Sequence, residues 1–190
     1  MDGAQHYSLG YSLAARLRSR WEAFAEDRRG LAAVEFALIA APFFFMIFGL
    51  LEVCLIFIMG TVLEHAVFEA ARPLRTGEAQ QAGITDIQFR QALCDEMFDI
   101  LDCDARLSID VRTLANFAAS PVGAPIDEDG NLDNEDFQFD PGGPNEIIAV
   151  RAFYEWALIT PLMSKPLANL NGDRHLLQAN TVFRSEPFGS

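Results

Sequence analysis

Apolar positions dominate one unbroken stretch near the start of the chain. From Leu31 to Leu63 the only charged residues are Glu35 and Glu52. About 20 apolar residues suffice to cross a bilayer, so this stretch predicts a membrane-spanning helix. The run is too long for the apolar region of a cleaved secretory signal, about 7–15 residues. The run Phe43-Phe44-Phe45 also argues against a core helix of a soluble protein. The spacing stays helical beyond it, where Val62, Ala66, Phe68 and Ala70 alternate with Glu64, Glu69 and Arg72. Pro73 predicts the stop, because the residue before a proline is biased away from the α region. One helix over residues 31–72 would be roughly 60 Å long at 1.5 Å per residue.

Three further patterns predict a small domain after the helix. Thr85 can cap a second helix, with Ile87, Leu93, Met97 and Leu101 at near-helical spacing. "RLSIDVRTL" alternates, with Leu107, Ile109 and Val111 on one face and Ser108, Asp110 and Arg112 on the other. That is a half-buried strand. "EIIAVRAFYEW" and "LLQANTVFRSE" read as two more strands, with a short proline-interrupted helix and a Gly turn between them. The expected fold class is α+β: a long N-terminal transmembrane helix, then a small extracytoplasmic domain with an antiparallel sheet and one or two helices. The segments are a cytoplasmic leader over 1–30, the membrane and continuing helix over 31–72, and a periplasmic head over 73–190.

Charge sets the orientation. Residues 1–30 hold 5 Lys+Arg against 4 Asp+Glu, while the remainder holds 9 against 23. Arg16, Arg18, Arg20, Arg28 and Arg29 precede the span, and no Lys or Arg follows until Arg72. Basic residues are retained in the cytoplasm, so the N-terminus is expected inside and the head outside. In a diderm bacterium that places the anchor in the inner membrane and the head in the periplasm. Within the leader, Leu13, Leu17, Trp21 and Phe24 make an apolar stripe, which either lies on the inner leaflet or belongs to a solvated helix. The acidic bulk would repel nucleic acid, so no such partner is expected.

Candidate chemistry is sparse. Only His6, His65 and His175 are present, and no Gly-x-Ser-x-Gly, phosphate-loop or His-Glu-x-x-His motif occurs. Neither an enzyme nor a cofactor is expected. Cys94 and Cys103 can pair if the head faces an oxidising compartment, as the orientation implies. Asp127, Asp129, Asn131 and Asp133 have the 1, 3, 5, 7 spacing of a calcium loop. However, Leu132 and Gln138 stand where that loop wants Gly and Glu, so the insert reads as a solvated acidic loop.

Glu35 and Glu52 remain to be explained. A carboxylate at mid-bilayer costs about 2.5–3.5 kcal/mol. Glu35 lies five residues past Gly30, so it either reaches back to Arg28 or Arg29 or has a role of its own. If the chain were cut after Gly30, Leu31 would become the new N-terminus. Glu35 would then stand at the fifth place and could neutralise the amine of an incoming neighbour. Pro42 has no N–H to donate to the Leu38 carbonyl and would bend the span.

"RRGLAAVEFALIAAPFFFMIFGLLE" resembles the TadE-like family of tight-adherence (Tad, Flp) pilus systems. The arginine pair, the Ala-Val-Glu-Phe core, Pro42 after Leu-Ile-Ala and the Phe-Gly-x-x-Glu end occur together, as they do in that family. Gly30, Leu31, Glu35 and Phe36 look like the processing site of type IV prepilins, with Leu31 where ordinary type IV pilins commonly have Phe. "LCDEMFDILDCDARLSIDVRTL", "FDPGGPNEIIAVRAFYEWALITPLM" and "TVFRSEPF" resemble the outer domain of the longer members. The resemblance thus covers most of residues 28–188. It implies a minor pseudopilin or pilus assembly component supporting surface adhesion and biofilm formation. It also implies cleavage by a prepilin peptidase and contact with other Tad pilus subunits and assembly platform proteins. The alternative is an uncleaved single-pass envelope protein whose head binds a partner.

Overall fold

The computed structural model describes residues 30–97, 102–160 and 164–189. The leader stripe, Arg28 and Arg29, and Leu101 of the second helix lie outside the described residues. In chain order the elements are α1 (Leu31–Thr76), α2 (Glu78–Ala82), α3 (Asp86–Glu96), α4 (Cys103–Arg106), β1 (Leu107–Leu114), a 3-10 turn (Phe117–Ala119), β2 (Ile147–Ala157), α5 (Ser164–Leu167) and β3 (Arg174–Arg184). The architecture is α+β: one long apolar helix, then a small domain with a three-stranded antiparallel sheet in the order β1-β2-β3.

The chain divides into two units, Met1–Ile47 and Phe48–Ser190. In the first, the described part is the opening of α1, and its apolar side chains point outward: Leu31, Phe36, Leu38, Ile39 and Met46 are all exposed. α1 is long and apolar enough to cross a membrane, and only 17% of its most apolar window is buried within the chain. A core helix of the same composition would be mostly covered by protein. The helix is continuous through Pro42.

In the second unit α1 changes character. Met59, Leu63, Ala66, Val67, Ala70, Ala71 and Leu74 are buried, a three-and-four spacing that puts them on one stripe. They share a core with Ile148, Val150, Ala152 and Tyr154 of β2, Leu107 and Val111 of β1, Leu177 and Ala179 of β3, and Phe89, Leu93 and Met97 of the α3 segment. Phe68, which the sequence pattern grouped with the apolar side, is instead 58% exposed.

The helix does not stop at Pro73 but runs to Thr76. A proline inside a helix forfeits one backbone hydrogen bond, and here the burial of Leu74 keeps the next turn in place. Gly77 ends α1 at φ 82, in the left-handed region. A Cβ at that position would collide with the ring of Phe188, which packs over it. The orphan carbonyls of the last turn find partners: Leu74 O accepts from Gln80 Nε2 at 2.9 Å and Arg75 O from the Glu186 amide at 2.8 Å.

α3 begins with a reciprocal cap. Thr85 Oγ1 accepts from the Gln88 amide, while Gln88 Oε1 accepts from the Thr85 amide. Cys94, near the end of α3, is bonded to Cys103 at the start of α4, with Cα atoms 6.0 Å apart. The adjacent Asp102 amide donates to the Tyr154 hydroxyl at 3.1 Å. Burial raises the pKa of that phenol above its usual value.

β1 differs from the half-buried strand that its alternation predicts. Leu107 and Val111 face the helix as expected, but Asp110 on the opposite face is fully buried. The cover is the acidic insert, which folds back onto the sheet. Val111 N donates to Gln138 O and Asp140 N to Val111 O, both at 2.8 Å, so residues 138–140 line the outer edge of β1. Leu132 and Phe137 pack with Phe153, Leu170 and Leu176 in a second core on that face. The insert is therefore solvated at its carboxylates and docked at its apolar residues.

Candidate functional site

The N-terminal candidates lie together at the start of α1. Gly30 stands immediately before α1, and among the described residues nothing lies within 4 Å of where a Cβ would be. Leu31 is 57% exposed and Phe36 70%. Glu35 is exposed as well and has no ion-pair partner among the described residues. It sits about 8 Å along the helix from Gly30 at 1.5 Å per residue. Gly30, Leu31, Glu35 and Phe36 are thus all exposed.

Glu52 is of the opposite kind. It is 2% exposed although it sits on an apolar helix. Its carboxylate accepts from Trp156 Nε1 at 3.3 Å, the Ile159 amide at 3.1 Å, the Thr160 amide at 2.9 Å and Thr160 Oγ1 at 2.8 Å. The Phe48 carbonyl lies 3.3 Å from the same hydroxyl, so the one hydroxyl proton has its closer and charged acceptor in Glu52. The donors sit at the end of β2 and just beyond it, where the backbone leaves the sheet and its amides have no ladder partner. A buried carboxylate is tolerated when several donors surround it. Here it holds the end of β2 against α1.

A second buried carboxylate stabilises the sheet. Asp110 Oδ2 accepts from Arg151 Nε at 3.0 Å and Arg151 Nη2 at 2.7 Å, and Oδ1 accepts from Arg112 Nη2 at 2.7 Å. Gln138 N also donates to Oδ1, at 3.3 Å. Arg151 lies over the rings of Phe153 and Phe137, 5.4 and 6.0 Å from their centroids. Alternation alone placed Asp110 on a polar face. The only hint of its burial is Arg151, a cation within the otherwise apolar stretch Ile147–Tyr154.

Of the calcium-loop candidates, Asp127 accepts from the Asn131 amide at 2.7 Å and Asp133 from the Glu135 amide at 3.2 Å. These are turn contacts, with each carboxylate bonded to nearby backbone. Among the described residues no three His, Cys, Asp or Glu side chains are grouped to hold a metal. Of the residues singled out as sets, Gly30, Leu31, Glu35 and Phe36 lie together at the start of α1, and Cys94 and Cys103 are bonded to each other. Pro42 is an exposed residue of α1, and Glu52 is engaged within its own chain.

Comparison with known proteins bears on the helix. No curated protein and no solved structure matches the chain. Residues 30–72, from the Gly30 junction through Glu35 and Glu52 to Arg72, match the family model described as TadE-like protein, the family that the Arg28–Glu52 stretch resembles.

Proposed function

We propose that this chain is a minor pseudopilin or assembly component of a Tad pilus, anchored by α1 and supporting surface adhesion and biofilm formation. The N-terminus is cytoplasmic and the head over residues 73–190 is periplasmic. A prepilin peptidase cuts after Gly30, and the mature chain begins at Leu31. The observation that carries this reading is Glu35: an exposed carboxylate, without an ion-pair partner among the described residues, five places past the junction on an apolar helix. In a lipid setting such a charge is costly unless it meets a counter-charge. The free amine at the start of a neighbouring mature helix supplies one, and a paired buried charge is strongly favoured over either charge alone. The TadE-like match over 30–72 supports the same assignment.

Cutting and joining should be separable by mutation. Gly30→Leu is expected to leave full-length precursor in the membrane, because a larger side chain blocks the peptidase. Glu35→Ala is expected to be cut and inserted normally, yet to lose its pilus partners in a pulldown. Gly30→Leu cut like wild type, or Glu35→Ala assembling normally, would contradict the proposal and leave a plain anchor whose head binds a partner.

A further inference from the structure

The sheet has one covered edge and one open edge. Residues 138–140 line β1 on its outer side, whereas among the described residues β3 has no neighbouring strand beyond it. The direction of its backbone follows from its ends. The Leu176 amide donates outward to Asn169 Oδ1, and the Arg174 carbonyl accepts outward from the Asn169 and Leu170 amides. Alternation along an antiparallel strand then turns the backbone groups of Gln178, Asn180 and Val182 outward too. None of the three has a further backbone partner among the described residues. Such an edge is a template for association unless something covers it.

Beside that edge, a groove of about 190 Å³ is lined by Phe68, Arg72 and Arg75 of α1 and Thr181, Val182 and Phe183 of β3. Both arginines are exposed, and neither has a carboxylate partner among the described residues. Other arginines of the head are engaged: Arg112 and Arg151 on Asp110, Arg174 on Glu155, and Arg90 on the Leu107 carbonyl. The groove thus combines an exposed aromatic ring and two free guanidinium groups, beside a strand edge that offers both backbone N–H and C=O groups. Those features fit a carboxylate-rich segment.

The chain carries one. Asp127, Glu128, Asp129, Asp133, Glu135 and Asp136 fall within ten positions that hold no Lys or Arg, and all six are exposed. In its own chain this loop cannot fill the groove, because Leu132 and Phe137 fix it on the face of the sheet opposite α1. We infer that the Phe68–Arg72–Arg75 groove at the open edge of β3 is the docking site for the acidic loop 127–136 of a second copy of this chain. The contact is head-to-tail, so each copy offers a free loop at one end and a free groove at the other. Two β3 edges pairing with each other would instead bring four unpaired arginines together, a like-charge arrangement. The inference does not depend on cleavage at Gly30.

The test uses full-length chain with Cys54→Ser, reconstituted in lipid nanodiscs. One population carries Glu186→Cys, an exposed position whose amide bonds the Arg75 carbonyl. The other carries Asn134→Cys in the acidic loop. A bifunctional maleimide should link them into a heterodimer, well above a control with the exposed Gln91→Cys of α3 in place of Asn134→Cys. Adding Arg72→Glu and Arg75→Glu to the first population should lower the linked fraction by about tenfold. Asp127→Lys and Asp133→Lys in the second should restore it. Linkage no greater than the Gln91→Cys control, or linkage indifferent to charge reversal, would overturn the inference. The second outcome would assign any dimer to the membrane helices.

Discussion

Glu52 and Asp110 carry the most consequence per residue, and both are buried carboxylates. Glu52 accepts four donors from Trp156, Ile159 and Thr160. Glu52→Ala leaves those donors without an acceptor, at about 1–3 kcal/mol for each one kept from water. The expected result is a head that unfolds at lower denaturant concentration, with a helix still inserted in the membrane. Chemical denaturation followed by Trp156 fluorescence checks this, and an unchanged midpoint would show that the carboxylate does not hold β2 to α1. The sequence flagged Glu52 as an odd charge on an apolar run but not its partners. They are more than a hundred positions away, and two of the four donors are backbone amides, which leave no trace in residue type. Asp110 was hidden for a related reason: alternation reports which side a residue faces, not what later folds over that side.

At the level of elements, most local signals hold, and one does not. The Thr85 cap, the three strands and the Cys94–Cys103 bond all follow from nearby residues, and each is present in the structure. The end of α1 was misread because Pro73 is a strong local signal overruled by tertiary packing of Leu74, while the true stop is Gly77 beneath Phe188. The acidic insert shows what composition leaves out. Its carboxylates dominate the composition, but Leu132 and Phe137 decide where it sits. The disulfide closes a short loop between α3 and α4, so it should contribute up to about 3 kcal/mol on the chain-entropy model. Cys94→Ser is expected to lower the thermal midpoint of the head, and non-reducing peptide mapping of envelope protein should link Cys94 to Cys103. Free thiols in that material would contradict the oxidising location.

Across the whole molecule, the chain pairs an apolar helix long enough to cross a membrane with a small α+β domain after it. That division was legible because a long uncharged run and alternating strands are patterns of periodicity, which need no knowledge of the partner surface. The proposed orientation rests on the arginines before the apolar run, so a reporter active only outside the cytoplasm, fused after Ser190, is expected to be active. Activity only from a cytoplasmic reporter would reverse the topology. The central claim is narrower: the chain is cut between Gly30 and Leu31 to place Glu35 at the fifth position of the mature helix. Mass measurement of the N-terminal peptide, on protein from native membranes, tests it most directly. The expected peptide begins at Leu31, and an intact Met1 would contradict cleavage after Gly30.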